Sequence, residues 1–343
     1  MTETGTPESG AARTHPNPLS RAVALHRPLM VFGVVMAVTA VVSVGGLLFD
    51  DRVLGGAPIW LKPFKFAVSF ALYSITWAWM ISLQHRYQRA SSRLATVVVA
   101  LAAVEMVIMV GQVIRGRASH FNSETAFDTT LFLVMGGSIA VVWVLNLVMA
   151  VFLLRERLAD RANRWAIRLG ALLSLAGMAL GVLMLGPTDD QLARAEAGED
   201  LSMIGAHSVG VADGGPAMPV TGWSTTGGDL RIPHFVGLHG MQVLPLLAAG
   251  LVLLAARFPL LRQDAVRLRL VLVGAAGYGG LVALVTWQAL RAQPLLRPDG
   301  WTLGVFGVLV VAVVLGAAIA VTRGRRRGTD VPAGDDASVG SPG

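Results

Sequence analysis

Residues 222–242 read GWSTTGGDLRIPHFVGLHGMQ, and the reading of this stretch decides the fold. It begins as a polar, turn-rich loop and becomes an apolar helix without a gap. It carries Asp229, Arg231, His234, His239 and Gln242 across that boundary. Polar groups that enter hydrocarbon are costly and mark sites. The run TTGGD at Thr225–Asp229 follows no strand of a βαβ unit, so it reads as a turn and not as a phosphate loop.

The surrounding chain sets the boundary. Of 343 residues, 54% are hydrophobic and only 14% charged, where a soluble domain carries roughly a quarter charged residues. This is the composition of an all-α integral membrane protein. Eight apolar stretches are each long enough to cross a hydrocarbon core of roughly 30 Å. They lie near residues 28–49, 63–84, 94–115, 129–154, 165–186, 234–256, 268–290 and 301–322. The polar segment 1–27 lacks the apolar core of a cleavable signal and reads as a disordered tail, as does 323–343. A long connector, about 187–233, separates the fifth and sixth spans, and its DDQLARAEAGED run fits a short surface helix.

Most of the 28 Lys and Arg residues fall in the connectors that alternate with this long one and in the terminal segments. Basic loops stay in the cytoplasm, so both termini are expected inside and the long connector outside, in a bacterial cytoplasmic membrane. The same asymmetry accounts for the net charge of +7 without nucleic acid. The expected partners are the lipid bilayer and a small molecule or lipid headgroup. With no cysteine, thiolate metal sites and cysteine nucleophiles are excluded. Walker A, HExxH and GxSxG patterns are also missing.

The two halves of the chain echo each other weakly. The third span ends in Gln112-Val-Ile-Arg115 and the seventh in Gln288-Ala-Leu-Arg291. The second opens around Pro63 in LKPFKF and the sixth around Pro233 in RIPHFV. Four spans per half would give a 4+4 parallel repeat, with a site at its interface. Gly177 and Gly181 form a GxxxG pattern, and Gly274, Gly277, Gly279 and Gly280 cluster in the seventh span, both signs of close helix packing. Pro245 is expected to kink the sixth span or to free a carbonyl within it.

Polar residues gather toward the outer side. Lys62, Lys65, Ser69, Tyr73 and Thr76 recur at three- and four-residue intervals on one face of the second span. Lys62 and Lys65 are the only lysines. Glu105 is the one acidic residue deep in a span, and it shares a face with Gln112 and Arg115. Arg117, His120 and Asn122 follow. His239 and Gln242 share a face of the sixth span, whereas His234 and His239 stand about 140° apart and form no HxxxH pair.

The leading expectation is an outward pocket for an amphiphilic, anionic or carbonyl-bearing molecule. His239, His120 and Glu105 are its catalytic candidates. Lys62, Lys65, Gln112, Arg115, Arg117, Asn122, His234, Gln242, Gln288 and Arg291 are its binding candidates. Alternatives are b-type haem on histidine ligands, a metal held by His120, His234 and His239, a transporter using Glu105 as its proton-coupled carboxylate, and a structural component without a pocket.

Overall fold

The computed structural model describes residues 25–158 and 160–329, with side chains through residue 325. The expected tails fall largely outside the described residues, but residues 323–329 continue the last helix. Among the described residues, seven helices are long and apolar enough to cross a membrane, or up to eight if a bent pair counts as one span. They are α1 (Arg27–Phe49), α2 (Leu61–Ser82), α3 (Gln88–Arg115), α4 (Ala126–Arg155), α5 (Arg161–Leu180), the bent pair α7 (Arg231–Leu238) and α8 (Gly240–Leu254), α9 (Asp264–Leu290) and α10 (Gly300–Thr329). Between α5 and α7 lies the short helix α6 (Asp189–Glu196), at the expected surface position, started by a capping box between Thr188 and Gln191. Large apolar side chains such as Val41, Leu253, Trp301 and Val308 point away from the protein, over 70% exposed. In water this surface would be untenable; against lipid it is the expected one.

Two ends of the bundle differ in kind. At one end the connectors are arginine-rich and anchored by carboxylates. Glu156 accepts the backbone N–H of His85 at 3.1 Å, and Asp160 accepts Arg267 at 3.0 Å. At the other end the four longer connectors fold over one another as a cap. The strands β1 (Val53–Leu54) and β2 (Ala57–Pro58) form one small hairpin. The strand pair β3 (Ser208–Val209) and β4 (Gly228–Asp229) forms another. Ile204 donates its N–H to the Phe121 carbonyl at 2.9 Å, and Ser123 donates to Ser202 at 2.9 Å, so the connector 116–125 is stitched to the long one. Phe121, Met184, Leu230 and Ala289 form the cap's apolar core.

Glycine sets the closest helix crossing. A side-chain carbon on Gly177 would collide with the backbone of Gly237 and Leu238, and one on Gly170 would stand 2.8 Å from the Gly240 carbonyl oxygen. Here α5 meets α7 and α8 backbone to backbone, as the small residues imply. The sixth span breaks at this crossing, bending by 44° at His239. The bend lies six residues before Pro245, at the glycine contacts, and Pro245 itself sits inside α8. In the seventh span Gly277 and Gly280 receive Val313 and Leu309 of α10, which seats the last helix.

Replacing Gly177 by Val should overpack this crossing and lower the thermal unfolding midpoint by the equivalent of about 2–3 kcal/mol. Gly136→Ala, at a position with nothing within 4 Å, should leave the midpoint unchanged or slightly raised.

Candidate functional site

The QxxR residues build corners. Helix α3 ends with Gly116 in the left-handed region (φ 71°), and Arg117 donates its N–H back to the Gln112 carbonyl at 2.9 Å. The Arg115 guanidinium reaches Asp128 on α4 at 2.7 Å, and the Gln112 amide reaches the same oxygen at 2.9 Å. Helix α9 ends the same way. Ala292 takes φ 56°, and Gln293 donates to the Gln288 carbonyl at 3.2 Å. Arg291 pairs with Asp299 ahead of α10 at 2.5 Å, while the Gln288 amide donates to the Pro294 carbonyl at 2.8 Å. Both corners close a helix with a six-to-one cap and then tie it to the next helix by an ion pair. Gln112, Arg115, Gln288 and Arg291 are therefore engaged by the protein. So are Arg117, which pairs with Glu124, and Asn122, which is buried and bonds the Ala118 carbonyl at 3.0 Å.

The opening stretch is held by two cations. Lys65 donates to the Thr221 carbonyl at 2.7 Å. Arg231 bridges the Gly222 carbonyl and the buried Asp229 carboxylate, the latter at 2.6 Å. His234 shares a hydrogen bond with the Gly177 carbonyl at 2.8 Å, so it belongs to the glycine crossing. Gln242 donates to Thr76 of α2 at 3.2 Å. One turn above, His239 sits at the break with no hydrogen bond from its ring to any described residue. One turn before His239 on the same chain segment, Phe235 meets Phe66 of α2 edge-on, with ring centroids 6.5 Å apart.

What converges is smaller and differently composed than the sequence suggests. Glu105, 1% exposed, points one oxygen toward His120 Nε2 at 3.7 Å. Its other oxygen has no partner among the described residues. The His120 ring lies among Phe66, Phe121 and Phe132, with centroids 6.1–6.3 Å away, and Ser119 Oγ is 3.1 Å from its Nδ1. Lys62 lies in electrostatic range of both Glu105 and Asp213, and of the like charges Lys65 and Arg231. Its half-buried amine has no hydrogen bond or ion pair among the described residues. A second imidazole–carboxylate pair comes from the long connector: His207 Nδ1 is 2.9 Å from Asp213, which also accepts the N–H groups of His207 and Ser208. The Phe121 ring stands edge-on to His207 at 5.0 Å.

The candidate site thus combines an amine without a partner among the described residues and, in electrostatic range of it, one carboxylate from each of two histidine–carboxylate pairs. His207 and Asp213 carry no periodicity and sit in a Gly-rich loop, so no sequence signal separates them from ordinary turn residues. Phe121, between His120 and Asn122, holds φ 62°. A bulky residue in that region costs of order 1–3 kcal/mol and tends to be held at functional sites.

Burial pushes the His120 imidazole well below its usual range, and the Lys62 and His207 charges push the same way. Burial also lowers His207, although Asp213 opposes it. Both rings are therefore neutral at neutral pH and able to accept a proton. Burial raises the Asp213 carboxyl, but the bonds from His207 and Ser208 outweigh it and hold it well below the ordinary carboxylate range.

His120, His234 and His239 do not assemble as metal ligands. Among the described residues no three His, Asp or Glu side chains form such a group. His120 faces Glu105, His234 faces a backbone carbonyl, and His239 lies at the helix break.

These shifts set a pH dependence. In the open cap the histidines return to about 6.5, so opening takes up protons and the closed cap loses stability as pH falls below about 6.5. Asp213 adds a further loss only as pH falls through 3.8 and below. Amide exchange of residues 200–230, corrected for intrinsic rates, should show less protection at about pH 5.5 than at about pH 7.5, a difference that His207→Gln reduces. Equal protection at both pH values would contradict this. No family model, curated protein or solved structure matches the chain.

Proposed function

We propose that the chain is a multi-pass protein of a bacterial cytoplasmic membrane, with both termini inside and the cap facing outward. Beneath the cap it binds, and chemically processes, an amphiphile with an anionic or carbonyl headgroup. The arginine-rich connectors at the opposite end support this orientation. The matched corners at Gln112–Asp128 and Gln288–Asp299 support two four-span halves in parallel orientation. So do the openings of α2 and α7, each with proline as third residue and no side-chain cap.

The observation that carries the proposal is the buried Glu105 oxygen without a partner, with the unpartnered Lys62 amine in electrostatic range of Glu105. Buried polar groups are normally satisfied. A buried oxygen left open next to the His120 ring, which itself lies among Phe66, Phe121 and Phe132, fits a ligand with a polar head and an apolar body. In this reading Lys62 holds the headgroup, His120 transfers the proton, and Glu105 orients the His120 ring. Lys65, Arg231, Gln112 and Arg115 hold the walls.

Dodecanoate, added to the protein in lipid nanodiscs, serves as a probe. Lys62→Met should weaken its binding about tenfold, or about 1.4 kcal/mol. Arg117→Ala, which removes a surface ion pair, should leave it unchanged. Equal affinity of wild type and Lys62→Met would contradict the assignment.

A further inference from the structure

We propose that Lys62 is a nucleophile that captures the carbonyl carbon of a bound amphiphilic aldehyde or ketone as an imine. The inference rests on the site described above and gives it a reaction. Lys62 and Lys65 are the only lysines in the chain and stand one helical turn apart on α2, yet their surroundings differ. Lys65 is spent on the Thr221 carbonyl at 2.7 Å. Lys62 donates to no described residue, and both cationic neighbours within its range, Lys65 and Arg231, are fixed by their own partners. Of the two amines, the one held by no partner is the one open to attack a bound carbonyl carbon. A lysine serving only as a structural cation would instead be expected to close an ion pair, and Glu105 and Asp213 are both at hand.

The neighbouring groups supply the proton steps. The Lys62 nitrogen lone pair attacks the carbonyl carbon, and the carbon–oxygen π electrons move to oxygen. The nitrogen loses a proton, and the oxygen gains one by way of His120 and Glu105, giving a carbinolamine. Protonation of its hydroxyl by the same pair breaks the carbon–oxygen bond and releases water as the carbon–nitrogen double bond forms, and the proton remaining on nitrogen returns to the pair. No oxidant or reductant is needed, and water returns the carbonyl compound. Glu105, whose free oxygen is buried, is placed to carry the proton between these steps. Phe66 and Phe235 offer the alkyl chain an apolar flank along α2 and α7.

The test uses dodecanal with cyanoborohydride, which reduces an imine to a stable secondary amine, on the full chain in nanodiscs. Peptide mass spectrometry then assigns the adduct to one of two lysines. The expected result at neutral pH is an adduct at Lys62 formed about tenfold faster than at Lys65, slowed by Glu105→Gln and His120→Gln and absent in Lys62→Met. Equal labelling of the two lysines, or labelling of Lys65 alone, overturns the inference. Dodecanoate binding, measured on the same preparation, separates the two levels. Binding without a Lys62 adduct removes the covalent step and leaves the binding site standing, whereas neither binding nor adduct removes both.

Discussion

The backbone contact between Gly177 and Gly237 determines where everything beneath the cap can stand. Two helices that touch without side chains between them cannot slide, because any larger residue would have to displace backbone. The contact fixes the break at His239 and engages His234 through the Gly177 carbonyl. It also fixes where α7 begins, and so where Arg231 can reach Asp229 and Gly222. With Lys65 reaching Thr221 from α2, the end of the long connector is tied to both halves of the bundle. The β3–β4 pairing then carries that constraint to Ser208, next to His207. Asp213 closes the turn by accepting from both residues.

Charge is distributed to match. Near the site Lys62, Lys65 and Arg231 face Glu105, Asp213 and Asp229, so the cluster is close to balanced overall. Such a balance does not select for a highly charged ligand. On the proposed reading it suits a carbonyl or a single carboxylate, which needs one donor and one proton relay. Two of the three cations are saturated by loop carbonyls or a carboxylate. What remains for chemistry is Lys62, the Glu105–His120 pair and, beside them, His207 with Asp213. The strained backbone at Phe121 lies between the histidine pairs, and its ring is in contact with both imidazoles.

Much of the fold was legible because membrane spans announce themselves by length: some 20 apolar residues leave little choice. The glycine pattern at Gly177 and Gly181 was readable for the same reason, since close packing in lipid demands small residues. The position of the break was not, because it coincides with a tertiary glycine crossing that a single sequence does not display. The QxxR motif was visible, but its role was not. Arg115 finds Asp128 across a helix corner, 13 residues away, and a sequence shows the donor without showing that its acceptor already waits. Glu105, His120 and Lys62 could be named from residue type and depth. His207 and Asp213 could not, because a loop has no period that would place one beside the other.

On the proposed reading, Lys62 and the two histidine–carboxylate pairs act as one electrostatic unit. Nitrogen NMR of the histidine rings in the full chain tests it directly, comparing wild type with Lys62→Met. Lys62 disfavours the protonated form of both His120 and His207, so its removal is predicted to let both rings take up a proton at higher pH than in the wild type. Unchanged titration of both rings would mean that the connector and α2 do not share a site, and would contradict the account.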